Sequence, residues 1–358
     1  MILGIDVSTY FEELDAGNRY YSNGRVIDPL LMFKKQGITH QRIRVWNDPY
    51  DKEGHPYGAG TCDVSNFLKL AKLGYEKYGL RTMLDFHYSD FWADPGKQFC
   101  PKAWENMTFE EAKVALYNFS KEVLLKAKAD NLPIDFVQVG NEITNGMSYP
   151  FGRLSDELPD RGYKELSELL TMGIKAVHEI FPEAKAIIHL EGSCNQAKYQ
   201  EYFDALERYH VPYDVIGMSY YAYWHGDIPE LFDNIKMCQK RYGKPVMIVE
   251  IGYPYYEKMD IQESIRLTGY PKAVPYPHSE QGQKDFIIDV LKRAKEVNLD
   301  GIFYWEPLWI PGRGINWGSE ASVKYTREKI EGSLASEWPE CLFDRKGNML
   351  EGFKEFKL

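Results

Sequence analysis

Two runs of the sequence place a carboxylate where chemistry could use it. Phe136-Val137-Gln138-Val139-Gly140-Asn141-Glu142 and Val246-Met247-Ile248-Val249-Glu250 are apolar, β-type stretches that end in glutamate. A glutamate on the last residue of a buried strand is costly to cover, so each is expected where its strand opens into a cleft. Two carboxylates facing one cleft are the minimal equipment for splitting a glycosidic bond. Carboxyl groups about 5–5.5 Å apart imply double displacement with retention, and about 6.5–9.5 Å leaves room for an inverting water.

Candidate assistants stand near both. Arg42, Arg44 and Trp46 alternate and share one face of a strand. Arg44, near the strand end, is expected to bond a carboxylate and keep it ionised. Asp85 and His87 share a face at another strand end and are expected to bind sugar hydroxyls. Asn141 is placed to hold a 2-hydroxyl, whose hydrogen bonds strengthen in an oxocarbenium-like transition state. Tyr220 or Tyr221 could orient Glu250, and Trp305 could form a platform under the sugar ring. Trp46, Trp92, Trp224 and Trp309 also fall at or just beyond strand ends. Glu191, Glu306, Asp90 and Asp94 read as substrate-binding or loop-bracing groups, and no HExxH or His-x-His suggests a metal.

The elements that must position these residues are legible as eight β-type runs: Leu3–Val7, Gln41–Trp46, Thr82–His87, Phe136–Glu142, Ala184–Leu190, Val215–Tyr221, Pro245–Ile251 and Gly301–Trp305. Helical periodicity fills the stretches between. Asp63 reads as the cap of a helix with Val64, Phe67, Leu68, Ala71, Tyr75 and Tyr78 on one face, ended by Gly79. Thr108 and Glu111 read as a capping box before Val114, Leu116, Phe119, Val123, Leu124 and Ala127. Further helices are expected over Lys164–Ile180, Gln196–Tyr209, Ile228–Tyr242, Gln281–Val297 and Leu350–Phe356. Eight strand–helix repeats without a linker predict a single (β/α)8 barrel domain over residues 1–358. No GxGxxG or GxxxxGK[ST] follows a strand, which disfavours a nucleotide-binding doubly wound sheet. The long connections, 88–107, 143–162, 252–280 and 307–342, all leave strand carboxyl ends, where barrel enzymes build their sites.

Composition narrows the partners. A net charge of −10 argues against nucleic acid or an anionic membrane. Aromatic residues reach 15%, with 26 Tyr and 8 Trp, and flat rings with polar edges suit sugar faces. Five scattered cysteines form no CxxC and leave at least one without a disulfide partner in a monomer, the expected state. No stretch is apolar enough to span a membrane. The first strand begins at once, so the chain is expected to act in the cytoplasm, or to be the trimmed form of a secreted protein.

The segment Leu84-Asp85-Phe86-His87-Tyr88-Ser89-Asp90-Phe91-Trp92-Ala93-Asp94-Pro95-Gly96-Lys97-Gln98 closely resembles a hallmark of glycoside hydrolase family 53, the endo-β-1,4-galactanases. Gly4–Ser8, Ile43–Asn47, Gln138–Glu142, Ile216–Tyr221, Glu250–Tyr255 and Phe303–Pro307 resemble further family segments, in family order along nearly the whole chain. The resemblance implies a retaining hydrolase of β-1,4-galactan, with Glu142 as acid/base and Glu250 as nucleophile, the latter kept ionised by Arg44 and Tyr221. It implies no cofactor for the reaction. Some relatives carry a structural calcium ion in a strand-seven or strand-eight loop, and its ligands are not assigned in this sequence.

Two segments depart from the family pattern. Met147-Ser148-Tyr149-Pro150 stands where a Trp-Pro pair is common, and Tyr221-Ala222-Tyr223-Trp224-His225-Gly226 replaces Tyr-Pro-Phe-Trp-His-Gly. Both bear on product length and subsite affinity. The competing readings are action on another β-1,4-glycan such as mannan or glucan, transglycosylation, a non-catalytic sugar-binding barrel, and a metal-dependent aldolase or isomerase.

Overall fold

The computed structural model describes residues 1–155, 159–256, 273–310, 315–326 and 339–358. Eight parallel strands close a barrel in sequence order: β1 (Ile2–Asp6), β2 (His40–Val45), β3 (Arg81–Phe86), β4 (Ile134–Val139), β5 (Lys185–Leu190), β6 (Val215–Tyr220), β7 (Val246–Ile251) and β8 (Gly301–Tyr304). The expected fold is the one observed. Helices α1 (Pro29–Lys35), α2 (Val64–Tyr78), α3 (Phe109–Ala129), α4 (Pro159–Ile180), α5 (Gln196–Arg208), α6 (Ile228–Tyr242), α7 (Glu280–Glu296) and α8 (Glu351–Glu355) follow the strands in turn. No described helix is long and apolar enough to cross a membrane.

Local chemistry starts and stops these helices as the sequence suggests. The Asp63 carboxylate accepts from the Asn66 N–H, and Gly79 ends α2 in the left-handed region at φ 65°. Thr108 and Glu111 close a capping box on α3. Two expected core residues are on the outside, Tyr75 at 42% and Val114 at 51% exposure. On α2 the buried face is Phe67, Leu70, Ala71, Gly74 and Tyr78. Gly74, on that buried face, lies closely against the Gln41 amide, so the next residue, Tyr75, falls on the outer side of the helix.

Strand alternation sorts the barrel into shells. Outward residues such as Leu3, Ile5, Ile43, Leu84, Val137 and Ile188 build the main core against the helices. Inward residues Met83, Phe136, Ile187, Val215, Met247, Val249 and Phe303 form a separate apolar plug. Gly4 pairs in register with Phe303, and a Cβ there would enter the ring, so glycine is what lets the plug fill the barrel. Above the plug lies a polar layer, fully or nearly fully buried: Asp6, Arg42, Arg44, Asp85, Gln138, His189, Ser219 and Glu250. A third, largely aromatic cluster, including Trp46, Trp92, Tyr221, Trp305 and Trp309, caps the carboxyl end.

Candidate active site

Both glutamates open into one cavity of about 410 Å³ at the carboxyl end of the barrel. They reach it by different backbone devices. On β7, Met247 and Val249 already point inward, so strict alternation would turn Glu250 toward the helices. Instead Met218 pairs with Ile248 while Ser219 pairs with Glu250, leaving Val249 as an extra residue. This β-bulge re-aims Glu250 into the barrel. Glu142 is not on its strand, which ends at Val139. Gly140 turns the chain at φ 96°, and Glu142 itself is left-handed at φ 48°. A side-chain-bearing residue rarely holds that conformation, and where it does the surroundings enforce it.

The two carboxylates have opposite support. Glu250 Oε1 lies 2.7 Å from Arg42 Nη2, and the Tyr221 hydroxyl donates to Oε2 at 3.2 Å. Glu142 meets a neutral donor, the Ser219 hydroxyl, at 2.6 Å from Oε1. Burial pushes both carboxyls above their usual range. For Glu142 the charge of Glu250 adds to the burial, followed by Glu191 and Asp94. For Glu250 the Arg42 guanidinium works against the burial. Of the pair, Glu142 therefore holds the proton and Glu250 the charge.

Arg42 organises the layer beneath. It donates to Gln138 Oε1 (2.6 Å), Asp6 Oδ2 (2.7 Å), Asp85 Oδ2 (2.9 Å) and Asn141 Oδ1 (2.9 Å). Burial opposes ionisation of Asp6, but the guanidiniums of Arg44 and Arg42 hold it below its usual range.

Several expected placements are corrected here. Arg44 lines the cavity but pairs with Asp6 (3.1 Å) and Glu306 (2.7 Å), and the guanidinium that pairs with Glu250 is that of Arg42. One pleat along β2 separates the two, and the deeper arginine reaches across the barrel. Asp85 and His87 are buried and do not line the cavity. The Ala93 N–H donates to His87 Nδ1 (3.0 Å), so Nε2 carries the hydrogen shared with Asp85 (3.1 Å). Burial lowers the pKa of that imidazole, against the pull of Asp85. This pair anchors the strand-three loop from behind the cavity wall, not at the surface where sugar hydroxyls were expected. Trp46 and Trp309 are fully buried behind the wall.

Trp92, Asn141, Tyr221, Trp224 and Trp305 do line the cavity, joined by Phe91, Asp94, Lys97 and Trp317. Arg44 stacks on Trp92 and Trp305 at 4.6 and 5.5 Å from the ring centres, so it sets the wall rather than the nucleophile. Asp90 braces a loop by accepting from the Asp48 and Lys102 N–H groups, and Glu306 braces Thr9. The strand-seven and strand-eight loops, where some relatives carry calcium, fall largely in 257–272, 311–314 and 327–338, outside the described residues.

The model of glycosyl hydrolase family 53 matches residues 2–356. The chain belongs to glycosyl hydrolase family 53. Among similar proteins, the endo-beta-1,4-galactanase of Bacillus subtilis is 32% identical, over 99% of this chain and 85% of its own. The arabinogalactan endo-beta-1,4-galactanase of Cellvibrio japonicus is also 32% identical, over 91% of this chain and 87% of its own. The solved GH53 catalytic domain of Ignisphaera aggregans superposes with a TM-score of 0.86 at 34% identity, covering 100% of this chain and 95% of that one. Family membership makes the protein a glycoside hydrolase. Within this family 53 barrel, Gln138, His189 and Ser219 were not singled out from sequence. An inward period of two on β4, β5 and β6 was the signal that could have found them.

Proposed function

We propose that the protein hydrolyses internal β-1,4-galactosidic bonds of galactan and type I arabinogalactan with retention. The observation that carries this is the unequal pair in one cavity: Glu250 backed by a guanidinium, Glu142 by a hydroxyl. The names of the relatives support galactan as the substrate. In the first step a Glu250 oxygen attacks the anomeric carbon while the glycosidic C–O bond breaks and the Glu142 proton passes to the leaving oxygen. In the second, water adds to the same carbon, Glu142 takes its proton, and Glu250 leaves as carboxylate. One Asn141 N–H goes to the Ala93 carbonyl (2.8 Å), and we assign the other to the sugar's 2-hydroxyl. Trp305, with Trp92 and Trp317, supplies the apolar wall, and Trp224, 43% exposed, extends it outward.

A monomer is proposed as the working unit. All proton and bond changes are handled by the two glutamates, so the reaction is assigned no cofactor, and chelators should leave the rate unchanged. The test is product analysis on linear β-1,4-galactan beside mannan and carboxymethyl-cellulose, with Glu142→Gln as control. Galacto-oligosaccharides from galactan alone, and none from the variant, are expected. Cleavage of mannan or cellulose in place of galactan would overturn the substrate assignment.

A further inference from the structure

A chain of buried side chains runs beneath the two glutamates and joins them. Arg42 Nε donates to Gln138 Oε1 at 2.6 Å, Gln138 Nε2 lies 2.8 Å from His189 Nδ1, and His189 Nε2 lies 2.8 Å from Ser219 Oγ. Ser219 Oγ then meets Glu142 Oε1 at 2.6 Å. Arg42, Gln138, His189 and Ser219 are each 0% exposed. They come from β2, β4, β5 and β6, one inward position on each strand.

The hydrogens along this chain can be assigned without seeing them. A guanidinium has donors only, so the Gln138 oxygen must face Arg42 and its amide nitrogen must face His189. His189 Nδ1 therefore accepts. The Glu142 backbone N–H points at the same nitrogen at 3.4 Å. Asn141 Oδ1 also lies 3.0 Å from it, but with two N–H donors directed at that nitrogen it has no hydrogen to give the oxygen. With Nδ1 accepting, a neutral ring carries its hydrogen on Nε2 and gives it to Ser219 Oγ. Burial, then the charge of Arg42, hold this imidazole neutral. The serine hydroxyl has one hydrogen of its own, and Glu142 Oε1 receives it.

We propose that Gln138, His189 and Ser219 are positioning residues that aim one fixed hydrogen at Glu142 Oε1, so that the acid proton sits on Oε2. Oε1 is occupied as an acceptor, which leaves Oε2 as the oxygen that protonates the leaving group and later deprotonates water. The same donor stabilises Glu142 once it is ionised, in the second half of the reaction. Because the chain starts on the guanidinium that neutralises Glu250, the donor to the acid/base and the cation on the nucleophile belong to one network. This inference rests on the roles proposed above for Glu142 and Glu250. The charged or titratable groups facing Glu142 include Glu250 from β7, Glu191 after β5, Asp94 from the strand-three loop, Tyr221 after β6 and Tyr199 from α5. Those facing His189 are Arg42, His87 and His225.

Two measurements test it. Nitrogen-15 NMR of the histidine rings in the unmutated protein, with His189 assigned by its loss in His189→Gln, should show a hydrogen on Nε2 and none on Nδ1 between pH 5 and 8. An Nδ1–H tautomer or an imidazolium would overturn the proposal. The pH profile of kcat/KM on β-1,4-galactan should separately show the alkaline limb of Ser219→Ala displaced upward by about one unit or more, because a donor to the ionised acid is lost. Ser219→Thr, which keeps the hydroxyl, should return it. A slower Ser219→Ala enzyme with an unmoved alkaline limb would also overturn the relay. Full activity of Glu142→Gln in the same assay would instead overturn the assignment of Glu142 as acid/base, and the tautomer would not depend on it.

Discussion

Arg42 carries more of the site than its position two residues before Arg44 would suggest. It touches Glu250, Asp6, Asp85, Gln138 and Asn141 at once. Arg42→Lys keeps the charge but loses the fork that reaches several acceptors. Glu250 must be ionised to attack, so weakening its cation raises its pKa. The acidic limb of kcat/KM should therefore move upward by about one unit, whereas Arg44→Lys should leave that limb nearly in place; equal shifts would remove the distinction between the two. Trp305→Ala should weaken oligosaccharide binding by on the order of 1–2 kcal/mol, read by calorimetry on the Glu142→Gln protein. Both carboxylates were legible from sequence, because a glutamate ending an apolar run has few uses. Which arginine serves which carboxylate was not. Period two puts Arg42 and Arg44 on the same face, and only the closed barrel shows which one crosses to β7.

At the scale of elements, the barrel was legible because eight apolar runs alternate with capped, periodic helices. The bulge on β7 was not, since Val246–Ile251 is apolar at every position but Glu250 and shows no alternation to interrupt. Nor was the left-handed turn at Glu142, which the sequence reads as one more strand residue. Gly4 tests how tightly the plug is fitted. Gly4→Ala should destabilise the protein by about 1–3 kcal/mol in denaturant titration, because the new Cβ meets the Phe303 ring. An unchanged midpoint would mean that the ring moves freely.

For the molecule as a whole, burial has left carboxyls outside the catalytic pair protonated near neutrality. Burial pushes Glu13 up to about 9, and Glu340, whose main counterweight is the Tyr223 hydroxyl, to about 8. A carboxyl raised above its unfolded value near 4.5 contributes its full stabilisation below that pH and loses it as pH rises through the folded value. Thermal stability should therefore fall between pH 5 and 9, and Glu340→Gln should flatten the fall; an identical slope in the variant would show that Glu340 ionises without cost. Retention by double displacement requires Glu250 to become bonded to the sugar. It is tested most directly by incubating the enzyme with a 2-deoxy-2-fluoro-galactobiosyl fluoride and locating the trapped sugar by peptide mass spectrometry. Glu250 should carry the label. A label on another residue, or none from an enzyme that turns over galactan, would contradict it.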